Sequence, residues 1–196
     1  MSKYILAYFL LIFVLISCSE DSVNEPDPKD SKLPIFEVKE LQTFNTTTGD
    51  TITYYSLREN KVIPTSERNT DKWDIAFYRT TLYANHGEYG PGIGGLIAVT
   101  NTDFTYLTEA PESGYVDVLS GSQNSWYNYD FSTHTISRKP GVVIVIKCAD
   151  GKYAKMQILS YYKGYPNNIP EKPEDREDKY YSFKYCIQMN GTRKFE

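Results

Sequence analysis

The chain has 196 residues, a formal net charge of −4 and 15% aromatic residues, among them 18 tyrosines and 9 phenylalanines. This mildly acidic balance offers no basic surface for nucleic acid, so no nucleic-acid partner is expected. Two histidines and three cysteines occur without an HExxH, CxxC or Gly-x-Ser-x-Gly pattern, which excludes the common zinc and serine-hydrolase signatures and leaves an enzyme reading without support.

Residues 1–17 carry Lys3 and an apolar run, and end in Leu15-Ile16-Ser17 before Cys18. Charged, apolar and small-residue sections in that order read as an export signal. Leu-Ile-Ser-Cys matches the pattern at which a bacterial lipoprotein is cut and acylated, so residues 1–17 are expected to be a signal peptide and Cys18 the lipidated residue. Two or three acyl chains hold a protein on a membrane stably, whereas one does so marginally. Ser19-Glu20-Asp21 follows directly, an acidic patch resembling the signal for display on the outer face of the outer membrane. Residues 18–32 are polar and hold Pro26 and Pro28, a composition that favours a flexible tether. Removing residues 1–17 takes away one lysine and leaves a net charge of −5. The remaining residues, 33–196, suit a single domain with its own core.

Within that domain short apolar–polar alternations are separated by Gly, Pro, Asn and Asp, which predicts an all-β fold of antiparallel hairpins and meander, with short helices at most. In chain order the expected strands are 35–44, 51–57, 73–78, 95–100, 115–119, 126–130 and 135–138, the last two forming a hairpin around Ser132-Thr133-His134. Next come 142–148 and 153–163, joined by an Asp150-Gly151 hairpin turn. A Pro-, Asn- and charge-rich loop over 164–178 should be exposed. The final strand, 180–189, alternates, with Tyr181, Phe183, Tyr185, Ile187 and Met189 on one face and Ser182, Lys184 and Gln188 on the other.

Gly90-Pro91-Gly92-Ile93-Gly94-Gly95 fits a dinucleotide-binding pattern, but a strand rather than a helix follows. Without a helix N-terminus to meet a phosphate, the glycines predict a tight loop or close backbone approach. Asp74, in Trp73-Asp74-Ile75-Ala76-Phe77, lacks a partner carboxylate and reads as a strand acid bonded to backbone or an arginine. Cys148 and Cys186 fit either a disulfide or two small buried hydrophobes, and spacing leaves both readings open. Trp126-Tyr127-Asn128-Tyr129 and Tyr161-Tyr162 suit stacking on a planar ligand and equally suit packing in a sheet.

Trp73-Asp74-Ile75-Ala76-Phe77, the stretch from Gly87 to Gly95, Gly114-Tyr115-Val116-Asp117 and Ala149-Asp150-Gly151-Lys152-Tyr153-Ala154-Lys155-Met156-Gln157 together resemble the HmuY-like haem-binding lipoproteins. The resemblance implies an all-β surface lipoprotein that captures haem for delivery to a TonB-dependent outer-membrane receptor. The family's best-known pattern places two histidines between the Gly-Tyr-x-x-Asp strand and the Ala-Asp-Gly hairpin. Here the interval 117–147 holds His134 alone and no methionine, so a bis-histidine site is absent. Iron ligation then falls first to His134, with Tyr127 or Tyr129 as second contact and Trp126 in the aromatic wall. His86 is a weaker candidate, and Met156 lies on the core face of its strand. The alternative is an adhesion or glycan-binding surface lipoprotein that kept the fold without a haem site.

Overall fold

The alternating pattern is realised as two five-stranded antiparallel sheets and a separate hairpin in the computed structural model, which describes residues 32–44, 49, 51–123 and 125–196. The expected signal peptide, Cys18 and the expected tether up to residue 31 lie outside the described residues, and the unit Ser31–Glu196 carries the fold. Its strands are β1 Phe36–Gln42, β2 Thr53–Ser56, β3 Lys61–Ile63, β4 Ile75–Tyr78, β5 Thr81–Ala84, β6 Gly95–Thr100, β7 Val118–Leu119, β8 Tyr127–Asp130, β9 Thr135–Arg138, β10 Val142–Lys147, β11 Tyr153–Tyr162 and β12 Asp178–Gln188. The first sheet runs β1-β12-β11-β10-β6, the second β3-β2-β4-β5-β7, and β8 pairs with β9. Helical structure among the described residues is limited to two 3-10 turns, Thr65–Glu67 and Pro173–Asp175.

The main core lies where the sheets face each other. Tyr181, Phe183 and Tyr185 of β12, Met156 of β11 and Ile144 of β10 meet Tyr55, Ile75 and Phe77 of the second sheet. Phe77 stacks on Phe183 with ring centroids 5.7 Å apart, and Tyr55 meets the same ring edge-on at 5.7 Å. The tyrosines reach this core because their polar tips find acceptors: Tyr181 donates to Arg79 O at 2.6 Å and Tyr185 to Leu57 O at 3.0 Å.

The near-continuous apolar run of β10 has a direct cause, for both faces are covered. Ile144 and Ile146 enter the main core, while Val143 and Val145 pack with Phe104, Ala110, Cys186 and Phe195 in a second cluster. Lys155 is buried in that second layer, donating to Phe104 O and Leu107 O, each at 2.7 Å. Burial holds its pKa below the usual lysine value. The polar face of β12 is likewise partly covered, with Lys184 half-buried. Ser182 is buried and accepts from Glu40 N, and buried Gln188 donates to Lys194 O.

Several strand expectations need correction. The alternation of β12 stops at Gln188, and Met189 is exposed rather than on the core face. Only Val118–Leu119 of the 115–119 segment is strand, because the chain changes sheets there: Val116 bridges Leu96 of the first sheet, whereas Val118 pairs with Tyr83 of the second. Strands β3 and β5 were not expected. Each follows a turn at positive φ, Asn60 before β3 and Arg79 before β5; Arg79 gives no turn signal, and β3, three residues long, is too short to show an alternation. Cys148 and Cys186 are both free and buried, and they belong to different core layers.

Candidate functional site

The motifs that carried the family resemblance meet at one end of the sandwich. Asp74 is fully buried just before β4 and accepts from Leu57 N at 2.8 Å, Arg58 Nε at 3.0 Å and Ala149 N at 3.1 Å. One carboxylate thus ties the second sheet to the Ala149-Asp150-Gly151 turn of the first. Burial raises the pKa of Asp74, and the Arg58 charge and the backbone amides pull it down without cancelling that effect. Asp150 completes the cluster, facing Arg58 Nη1 at 3.4 Å and Lys152 Nζ at 2.5 Å. Asp74 is therefore a structural acid bonded to backbone and arginine, as its sequence context suggested.

Asn85 is a second hub. Its amide donates to Thr70 O at 2.9 Å and Trp73 O at 2.8 Å, and its side-chain oxygen accepts from Gly92 N at 2.9 Å. The glycine loop needs its glycines for close approach. A Cβ at Gly90 would stand 2.2 Å from Asn85 Oδ1 and 2.7 Å from the Trp73 ring, and one at Gly92 would stand 2.8 Å from Ala149 Cβ. Nothing in the sequence marks Asn85, whose role appears only when Thr70, Trp73 and Gly92 are brought around it.

The exposed aromatic and histidine chemistry sits elsewhere, on the β8–β9 hairpin. Asp130 shapes the tip by accepting from Ser132 N and Ser132 Oγ, both at 2.7 Å, and these bonds hold its carboxyl below the usual range. His134 adopts φ +54 and is exposed, and its Nδ1 lies 2.7 Å from the Tyr129 hydroxyl. Phe131 is 82% exposed and meets Tyr129 edge-on at 4.9 Å. Arg176 braces the tip, donating to Thr133 O at 2.8 Å and His134 O at 3.1 Å while also binding Pro170 O at 2.7 Å in the 164–178 loop. Farther down, the Tyr162 hydroxyl accepts from Ile136 N at 2.8 Å.

Of the residues singled out in the sequence, His134 and Tyr129 are brought together. Trp126 and Tyr127 are not at the tip; they root the hairpin in the main core, at 3% and 8% exposure. The Trp126 indole donates to Thr80 O at 3.1 Å, and the Tyr127 hydroxyl accepts from Thr80 Oγ1 at 3.3 Å. Met156 is fully buried in the main core. His86 pairs through Nδ1 with Asp117 Oδ1 at 2.8 Å beside the glycine loop. Among the described residues no group of three or more His, Cys, Asp or Glu side chains is placed to hold a metal ion.

For haem, the donor set at the tip fits a single axial ligand. His134 Nδ1 contacts the Tyr129 hydroxyl at 2.7 Å, and with Nδ1 as the donor Nε2 would be free to hold iron. Met156 and His86 are engaged elsewhere and supply no second ligand there.

The HmuY protein family model matches residues 49–135. No curated protein matches the chain. Among solved structures, the apo HmuY analogue of Tannerella forsythia superposes with a TM-score of 0.53 at 17% identity, covering 81% of this chain and 99% of its own. A protein of Bacteroides fragilis described as a lipoprotein gives 0.49 at 14% identity, covering 78% of this chain and 89% of its own. A Bacteroides vulgatus protein described as HmuY-like and heme-binding gives 0.48 at 16%, covering 82% and 93%. The chain is thus similar to HmuY proteins in sequence over residues 49–135 and to the Tannerella forsythia analogue in fold.

Proposed function

We propose that the chain is a non-enzymatic binding protein, held on the outer membrane by lipid on Cys18 and facing the cell exterior, that carries haem or a related planar ligand for transfer to an outer-membrane receptor of the TonB-dependent type. The observation that carries the ligand half of this reading is the 2.7 Å contact between Tyr129 and His134 Nδ1 at an exposed tip. With Nδ1 as donor to the phenol oxygen, Nε2 carries the lone pair that would hold iron. Haem bound here would supply a redox-active iron and a flat apolar face. Phe131 and Tyr129 supply ring surface beside it, and Arg176 keeps the tip from swinging. A ligand held by one imidazole at an exposed tip suits handover to a receptor better than deep enclosure would.

The test is a haemin titration of unlipidated residues 31–196 followed by Soret absorbance. The expected result is a saturable shift that disappears in His134→Ala and weakens in Tyr129→Phe. An unshifted spectrum, or one equal in wild type and His134→Ala, removes the reading. A second reading, adhesion or glycan binding on the same fold, draws on the 82% exposure of Phe131, since such a ring suits stacking on a sugar face. Glycan-array binding lost in Phe131→Ala, without any haem response, would favour it.

A further inference from the structure

Strands β6 and β7 are the edges of the two facing sheets, and Leu96 bridges Val116 where those edges meet. Along them lies a cleft of about 430 Å³, lined by β6 residues such as Leu96, Ala98 and Thr100, by Val118 and Leu119 of β7, and by Ser125. That volume falls within the range of small-molecule sites. The lining contains no ionisable side chain and no His, Met, Cys or Tyr. It therefore offers neither a ligand for iron nor a cation for a carboxylate, which excludes haem and other charged ligands from this cleft.

One polar atom in it stands out. Ser125 is 2% exposed, and its Oγ is the single buried side-chain nitrogen or oxygen without a hydrogen-bond partner among the described residues. A buried hydroxyl that forgoes water without a replacement is costly, and binding sites supply the replacement from the ligand. Described residues on either side of it are tied down: Lys139 Nζ donates to Ser122 O and, at 3.0 Å, to Gln123 O, and neighbouring Trp126 is locked in the main core.

We propose that this edge cleft binds a compact, uncharged and mostly apolar molecule whose one hydroxyl, carbonyl or aryl-amine N–H group pairs with Ser125 Oγ. The site is separate from the β8–β9 tip and stands whether or not haem binds there. The neutral fluorophore 1-N-phenylnaphthylamine, with one N–H on an apolar body, is a suitable probe for unlipidated residues 31–196. Saturable fluorescence enhancement is expected, with affinity about fivefold weaker in Ser125→Ala, the loss of one neutral hydrogen bond. Thr100→Trp places a large ring on an exposed lining position and should abolish the signal while circular dichroism stays native. No saturable signal, equal affinity in wild type and Ser125→Ala, or full binding in natively folded Thr100→Trp overturns the proposal.

Discussion

Removing the Asp74 carboxylate should cost more than any other single truncation at the motif-bearing end of the sandwich. In Asp74→Ala the buried amides of Leu57 and Ala149 lose their acceptor and Arg58 loses its closest charge partner. An orphaned buried amide costs about 1–3 kcal/mol, and breaking a buried ion pair by truncating one partner costs about 3–5 kcal/mol. These terms overlap, so about 4 kcal/mol is expected, a large share of the ~5–15 kcal/mol that holds a domain folded. Asp74→Asn keeps one carbonyl oxygen at the same place and should lose about half as much. Urea unfolding of residues 31–196 reads this directly. At a slope of about 2 kcal/mol/M the midpoint should fall by about 2 M in Asp74→Ala with the slope unchanged. A loss below about 1 kcal/mol, or equal losses for Ala and Asn, would refute the view that Asp74 joins the sheets through hydrogen bonds.

Alkali should unfold the domain through its buried phenols. Burial raises Tyr55 to about 12 and lifts Tyr115, Tyr161, Tyr181 and Tyr185 further. Their folded values lie above the ordinary 10.0, so their contribution is intact below that pH and is lost as pH rises through the folded values; urea midpoints should therefore fall from pH about 10 upward, with a late phenolate absorbance step that coincides with unfolding. Gly92→Ala should lower stability by about 1–3 kcal/mol, seen as a lower Tm, because the new methyl meets Asn85 O and Ala149. Lys155→Met should cost about 2 kcal/mol and raise amide exchange over residues 103–110, since it leaves Phe104 O and Leu107 O without their donor. Thiol reagents should find Cys148 and Cys186 unreactive in the native state and label both after unfolding, since both are free and buried.

Much of the fold was legible because its signals are local. The Asp150-Gly151 turn, the double-sided apolar run of β10 and the alternation of β11 each follow from residues within a few positions of one another. Strand β5 escaped because Arg79, not a turn residue by preference, adopts positive φ, and β3 because three residues after Asn60 are too few to show an alternation. The division of β12 into two faces was legible, but the cover over Cys186 on its second face was not, because it comes from Phe104, Ala110 and Phe195, far away in sequence. At the candidate site the β8–β9 hairpin was legible but the contact of Tyr129 with His134 was not, since the register pairs Tyr129 with Ile136 and His134 reaches the hydroxyl from the turn at φ +54. Whether Trp126 and Tyr127 face outward was not legible either, since that depends on Thr80, Tyr161 and Tyr181 filling the space beneath them. The aromatic cluster therefore divides into a buried root and an exposed tip, a division that composition alone does not carry.

Electron paramagnetic resonance of residues 31–196 loaded with ferric haem tests the single-imidazole site most directly. A high-spin signal distinct from that of free haemin and lost in His134→Ala is expected. A low-spin signal from two nitrogen ligands, or a spectrum unchanged by His134→Ala, would contradict it.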